Sequence, residues 1–486
     1  MEMLSVVYFW ALRWYNRSND RTKEDTMENN TPRRIDPLVI LVIILALCLV
    51  CILIGKGASS LFGPEDTTPI STAGTLPEAT TAPETTAPTT ETTAPPFGKV
   101  STATIGTTGD ILMHELVIKS GYDSASGTYN YDNIFDSFAP YASRVDWGVA
   151  NLEVTLCGDD NGYNYSGYPN FNCPDAITDA LKKAGFDMLL TANNHSFDTR
   201  QKGFDRTQQI VADRGFAHIG TRPTEDAKNY LIKEVNGITI GMTCYTYNTG
   251  YDSKGNASLN TIPLTTEANA LTNSFSYNKL DEFYQKLSGE LEQTRQDGAE
   301  AIMLFIHWGD EYQIKENTTQ RKMAQALCNL GIDVIVGNHA HVVQPVSLLT
   351  NENDDSKKTL CLYSTGNSVS NIYKTERFPV HTEDGMLFCV TFAKYTDGTV
   401  LVDAAKVIPT WVYRYPDPDT GVGLFRILAM DGAEENWNLG MDVSDSVKTK
   451  CKESYDRTMD IVGEGLTAAN DHYTAQANAL LEANAK

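Results

Sequence analysis

The chain has 486 residues, of which 41% are apolar and 21% charged, so wholesale disorder is excluded and a sizeable core is expected. Mean hydropathy is -0.29, and nearly all continuous apolar sequence falls in one stretch, which excludes a multi-span membrane protein. The formal net charge of -23 argues against nucleic acid as a partner, because phosphate contacts need basic surface. Nine cysteines are too few for a disulfide-built scaffold.

In chain order, residues 1–37 read as a cytoplasmic N-terminal segment. Residues 38–55, LVILVIILALCLVCILIG, are uncharged and about as long as the ~20 residues that cross a bilayer core as a helix. Arg33 and Arg34 precede this stretch, and after Lys56 no basic residue occurs until Lys99. The positive-inside bias therefore predicts a single-pass protein of the cell membrane, with a cytoplasmic N-terminus, an extracellular body and membrane lipid as its first partner. The alternative is a signal peptide cleaved near Gly57–Ser60, whose apolar core would normally run only ~7–15 residues. Residues 56–98 read as a Thr/Pro-rich linker: Pro64–Phe97 alone holds 12 Thr and 7 Pro. Such a composition favours an extended, disordered stalk with nothing to bury.

From residue 99 to 415, short apolar runs alternate with helical patterns, which predicts an α/β domain. Residues 416–486 read as a C-terminal helical extension, with Ser444–Lys486 helical in pattern. Five apolar runs each close on a residue able to bind a cation. STATIGTTG is followed by Asp110, DWGVANL by Glu153, DMLLTAN by Asn194 and His195, AIMLFI by His307, and DVIVGN by His339 and then His341. Loops at one end of such strands can converge their side chains. Imidazole, carboxylate and amide donors together suit Zn, Mn or Fe better than Ca. Asp, Asn and Gly are also ordinary turn formers. However, four of the chain's eight histidines stand in these turns, and a fifth, His114, follows Asp110.

These motifs, with Asn151-Leu152-Glu153, His307-Trp308-Gly309, Gly337-Asn338-His339-Ala340-His341 and Ser364-Thr365-Gly366-Asn367, resemble the capsule-synthesis protein CapA family, whose domain is similar to the calcineurin-like metallophosphoesterases. The resemblance implies an αββα sandwich of two mixed β-sheets flanked by helices. It further implies two divalent transition metal ions held by Asp110, Glu153, Asn194, His307, His339 and His341, with Glu153 in the place of a bridging aspartate. His195 matches a general acid, and Asp198 the residue that orients it. The first motif departs from the superfamily pattern: Leu112 stands where a histidine is usual. By resemblance, the function is biosynthesis or export of a surface polymer such as poly-γ-glutamate, with metal-dependent hydrolase or transferase chemistry. That anionic polymer and other capsule-synthesis membrane proteins would be the partners. The alternatives are a non-catalytic export or scaffold component and a metal-dependent phosphodiesterase.

Some features stay open at this level. Cys157 and Cys173 bracket a Tyr/Asn/Gly-rich loop and read equally as a disulfide or as two thiols. The loop itself is a surface loop or a recognition rim, and Trp308 lines the cleft or packs on a strand. Asn236-Gly237 and Asp397-Gly398 predict hairpin turns. His218, His381 and His472 carry no ligand context. No Gly-rich nucleotide loop and no Gly-x-Ser-x-Gly pattern occurs.

Overall fold

A computed structural model describes residues 97–160, 162–376 and 380–485. The expected segment 1–37, the membrane helix 38–55 and nearly all of the linker 56–98 lie outside these residues. Among the described residues, no helix is long and apolar enough to cross a membrane.

The alternating runs form two sheets. Along the chain, β1 (Lys99–Ile111), β2 (Trp147–Leu152), β3 (Met188–Leu190) and β4 (Ala217–Ile219) belong to the first. Strands β5 (Tyr230–Val235), β6 (Ile238–Tyr247), β7 (Ser274–Phe275), β8 (Ala301–His307), β9 (Val334–Asn338), β10 (Val346–Asn351) and β11 (Asp354–Leu362) form the second. The chain then returns to the first sheet with β12 (Asn367–Val369), β13 (Asp384–Tyr395), β14 (Val400–Pro416) and β15 (Gly423–Ala429). The first sheet has the order β15-β14-β13-β1-β2-β3-β4 with β12 on β1, and the second has the order β7-β6-β8-β9-β11-β10 with β5 on β6.

Both sheets are mixed. β1 runs parallel to β2 and antiparallel to β13. In the second sheet β6, β8, β9 and β11 are parallel, so their C-terminal ends share one edge. That shared polarity is what delivers the strand-end residues to one place.

The sheets pack face to face: Ile105, Val149 and Leu190 of the first share a core with Met242, Phe305 and Val336 of the second. On the outer face of the first sheet, helices α1 (Ala176–Ala184) and α2 (Arg200–Asp213) bury Ile177, Leu181 and Val211. On the outer face of the second, α3 (Leu280–Gln296) and α4 (Thr318–Asn329) bury Leu287, Met323 and Leu327. Asn317 and Gln320 form a capping box that fixes the start of α4. The layering is helix, sheet, sheet, helix, as expected for the domain.

The end of the chain differs from expectation at one point. The sheet does not stop at residue 415: β14 turns through Asp417–Val422, and β15 pairs with it antiparallel. The helical pattern begins only afterwards, with α5 (Asp445–Ala483), 39 residues long. This helix packs as part of the body, burying Val462, Ala469 and Tyr473 in the core between the sheets. Its approach to β10 requires Gly465, where an added Cβ would lie 1.8 Å from the Val346 carbonyl oxygen. Asn236 and Gly237 turn β5 into β6 with φ of 51° and 78°, the left-handed pair that a two-residue hairpin of this kind needs.

Candidate metal centre

The centre lies where β1, β2, β8 and β9 end. Asp110, at the end of β1, sits opposite Asn151 of β2 and Asn367 of β12. The strand reaches that position because residue 109 is glycine: a Cβ there would lie 2.0 Å from the Gly366 carbonyl oxygen. Asp110 is fully buried, and its carboxylate takes donors on both oxygens. Asn151 Nδ2 (2.7 Å) and Asn338 Nδ2 (3.1 Å) donate to Oδ1, and His341 Nδ1 lies 3.1 Å from Oδ2. Burial would raise its pKa, but the hydrogen bond and charge of His341 outweigh burial and hold the carboxyl below the usual range. Burial would likewise lower His341, but the hydrogen bond and charge of Asp110 hold it above the ordinary imidazole value.

Glu153 behaves oppositely. It is fully buried, and neither carboxylate oxygen makes a hydrogen bond among the described residues. Its Oε1 lies 3.3 Å from His307 Nε2, within ion-pair distance but outside hydrogen-bond geometry. Burial, followed by the charge of Asp110, pushes its pKa well above the ordinary value. His339 Nδ1 and Asp198 Oδ1 are further buried polar atoms with no hydrogen-bond partner among the described residues. Buried polar groups in folded chains are overwhelmingly satisfied, so the free oxygens of Glu153 and the free Nδ1 of His339 are atoms that could bind a cation.

Donor atoms of Asp110, Glu153 and His307 lie within 4.8 Å of one another, and so do those of Glu153, His339 and His341. Glu153 is common to both groups. Burial lowers His307 to about 3 and His339 well below its ordinary value, so both rings are neutral, the state in which imidazole binds a metal. The backbone is strained where the ligands sit: His339 and His341 have φ of 94° and 55°. Positive φ is unusual for such side chains and concentrates at functional sites.

The structure brings together all six residues expected as ligands. Asn194 joins the others through its Oδ1, 2.7 Å from His307 Nε2. His195 and Asp198 stand beside them, with Nδ1 and Oδ2 2.8 Å apart. Asp198 Oδ2 also accepts the Phe171 N–H at 2.7 Å, and the Phe171 ring meets His195 edge-on at 4.7 Å. Sequence reasoning missed Asn260, whose side chain lies 3.1 Å from Asn194 and 3.3 Å from His195 Nδ1. It also gave no role to Asn151, Asn338 or Asn367, although all three stand within quoted motifs and hold Asp110 or His341.

The centre opens into a cleft of about 1000 Å³. Leu112, where a histidine was usual, is buried and lines it, as do His114, His195, Glu311 and His341. Burial lowers His114 to about 4, and its Nδ1 accepts the Asn371 N–H. Tyr168 and Phe171 bring the Tyr-rich loop to the rim. His381, left without a role, also lines the cleft and bonds Glu383 at 2.8 Å. Trp308 does not line the cleft. It is fully buried, stacks on Tyr363 and donates to its carbonyl at 3.0 Å. No disulfide joins Cys157 and Cys173, and both are buried thiols.

A sequence model of the family described as bacterial capsule synthesis protein PGA_cap matches residues 104–372, which contain every residue of the centre. The chain is 26% identical over 302 residues to a capsule biosynthesis protein CapA of Bacillus anthracis, covering 62% of this chain and 66% of that one. It is 27% identical over 263 residues to a PGA biosynthesis protein CapA of Bacillus subtilis strain 168, covering 54% of this chain and 61% of that one. The chain thus spans just under two thirds of the length of these relatives.

Proposed function

The chain belongs to the bacterial capsule synthesis protein PGA_cap family, and from that premise we propose that it is a membrane-anchored enzyme acting on an extracellular polymer such as poly-γ-glutamate. The chemistry is metal-dependent hydrolysis or transfer. Glu153 carries the reading: a buried carboxylate with both oxygens unbonded, shared by two groups of nitrogen and oxygen donors. A purely structural core has no use for that arrangement.

Asp110, Glu153, Asn194, His307, His339 and His341 would hold two divalent transition-metal ions, which supply Lewis-acid stabilisation of charge developing at a tetrahedral centre. The chain's own residues do the rest. Asn151 and Asn338 fix the Asp110 carboxylate, and Asn367 fixes His341. Asp198 holds the His195 ring through Nδ1. His195 hands a proton to the departing nitrogen as the carbonyl carbon–nitrogen bond breaks, and the proton shed by the water or acceptor nucleophile that bonds to that carbon returns to His195. Phe171 and Tyr168 line the cleft beside His195.

A non-catalytic export or scaffold role is the second reading, favoured by the buried, apolar Leu112 at the first motif. Incubating the full-length chain with poly-γ-glutamate separates the two. The catalytic reading expects polymer shortening or transfer to an acceptor that stops on metal removal and returns on resupply of Zn or Mn. Unchanged polymer length with metal bound would leave the scaffold reading.

A further inference from the structure

The wall of the cleft facing the metal centre comes from outside the family match, from β14, α5 and the segment just after residue 372. We propose that this wall is a binding subsite for the carboxylates of an anionic polyamide chain, with Lys450 and Arg414 as its principal contacts; this rests on the polymer reading above.

Four cations line this wall, Lys374, Arg414, Lys450 and Arg457, in a chain whose net charge is -23. They are not equivalent. Arg457 is engaged by Asp384, with Nε and Nη2 each 2.8 Å from a carboxylate oxygen, and Ser454 Oγ joins the same carboxylate at 2.7 Å. That latch fixes α5 against β13. One face of the helix is thereby presented to the cleft, since Lys450, Glu453 and Arg457 follow helical spacing. Lys374 Nζ lies 3.1 Å from His381 Nε2. Arg414 makes a 3.3 Å bond to Asn371 Oδ1 and lies over the Phe425 ring at 5.9 Å, but forms no ion pair among the described residues. Lys450 is exposed and makes no ion pair or hydrogen bond among the described residues. Lys450 and Arg414 are therefore the cations with capacity for a ligand.

The rest of the lining narrows the ligand class. Trp411 and Tyr413, two apart on β14, stack at 5.6 Å and offer an apolar strip for methylene groups. Glu311, Glu383 and Glu453 also line the cleft. Glu383 is taken up by His381 and by the Lys374 N–H. Glu453 has no hydrogen-bond partner among the described residues. A polyphosphate brings acceptors only and would be repelled by that carboxylate. A γ-linked polyglutamate brings carboxylates for the cations, amide N–H donors for Glu453 and methylenes for the aromatic strip. The cleft, about 1000 Å³, sits at the upper end of the roughly 300–1,000 Å³ of small-ligand pockets. His195 lines the same cleft as Lys450 and Arg414.

The test is binding of a fluorescent γ-linked glutamate decamer to the full-length chain, measured across a salt series. Lys450→Ala/Arg414→Ala is expected to weaken binding about tenfold and flatten its salt dependence, as loss of two charge-assisted contacts would. Metal content and melting temperature should not move. The same comparison made after metal removal by chelation should give the same difference, so failure of the metal reading leaves this result interpretable. A parent chain that does not bind the decamer at low salt, or a double variant that binds it as tightly as the parent, overturns the assignment.

Discussion

At the residue scale, the site is a set of buried polar groups that satisfy one another in one half and not in the other. Asp110 collects the side chains of Asn151, Asn338 and His341, whereas Glu153 and His339 Nδ1 collect none among the described residues. The donor types were legible in the sequence because each closes an apolar run of strand length. Asn260 was not, since it reaches His195 across 65 residues through a hairpin that carries no local signal. His195 depends on a single carboxylate oxygen that also accepts the Phe171 N–H. Asp198→Asn should therefore lower turnover about 10²- to 10⁴-fold, the usual worth of a positioned general acid, while metal content stays unchanged. Steady-state rates beside elemental analysis of the same sample would check this; loss of metal in the variant would instead make Asp198 part of the ligand support.

At the element scale, strand order was unreadable although strand identity was legible. Which runs become neighbours is decided by the long crossovers, and β13 to β15 return to the first sheet only after the second is complete. The end of the sheet was misplaced for a local reason. β15 is short and follows the turn Asp417–Val422, so the Asp/Pro/Gly-rich stretch after Tyr415 reads as the exit from the domain rather than as a hairpin. The C-terminal helix was legible as a helix that packs or meets a partner, and the structure packs it on the body, with Gly465 against the Val346 carbonyl oxygen. Gly465→Ala is a sharp test. Helix propensity alone would stabilise it by about 1 kcal/mol, but the new Cβ would meet a backbone oxygen, which cannot rotate away. Overpacking of this kind typically costs about 1–3 kcal/mol or more. Net destabilisation in urea unfolding is expected, and a gain in stability would show that the helix does not lie against β10 in solution.

At the scale of the whole molecule, an acidic chain gathers imidazoles at the centre and cations on the facing wall of one cleft. Folding of this body should also carry a pH signature away from the centre. Burial pushes Asp333, which accepts the Ile302 N–H at 2.8 Å, up from its ordinary 3.8 to about 6. A carboxyl that binds its proton more tightly when folded contributes stability fully below its unfolded pKa and loses it as pH rises through the folded one. Asp333→Asn keeps the acceptor and removes the charge. Relative to the parent it should therefore be more stable at about pH 7.5 than at about pH 4.5. Denaturant midpoints at the two pH values check this, and an equal difference at both would contradict it.

The central claim is that Glu153 joins two cation sites. Elemental analysis of the full-length chain, metal-replete and dialysed, beside Glu153→Gln, tests it most directly. The account predicts close to two transition-metal ions per parent chain and loss of both in the variant, since each donor group includes Glu153. Near-zero metal in the parent, or an unchanged content in Glu153→Gln, would contradict it.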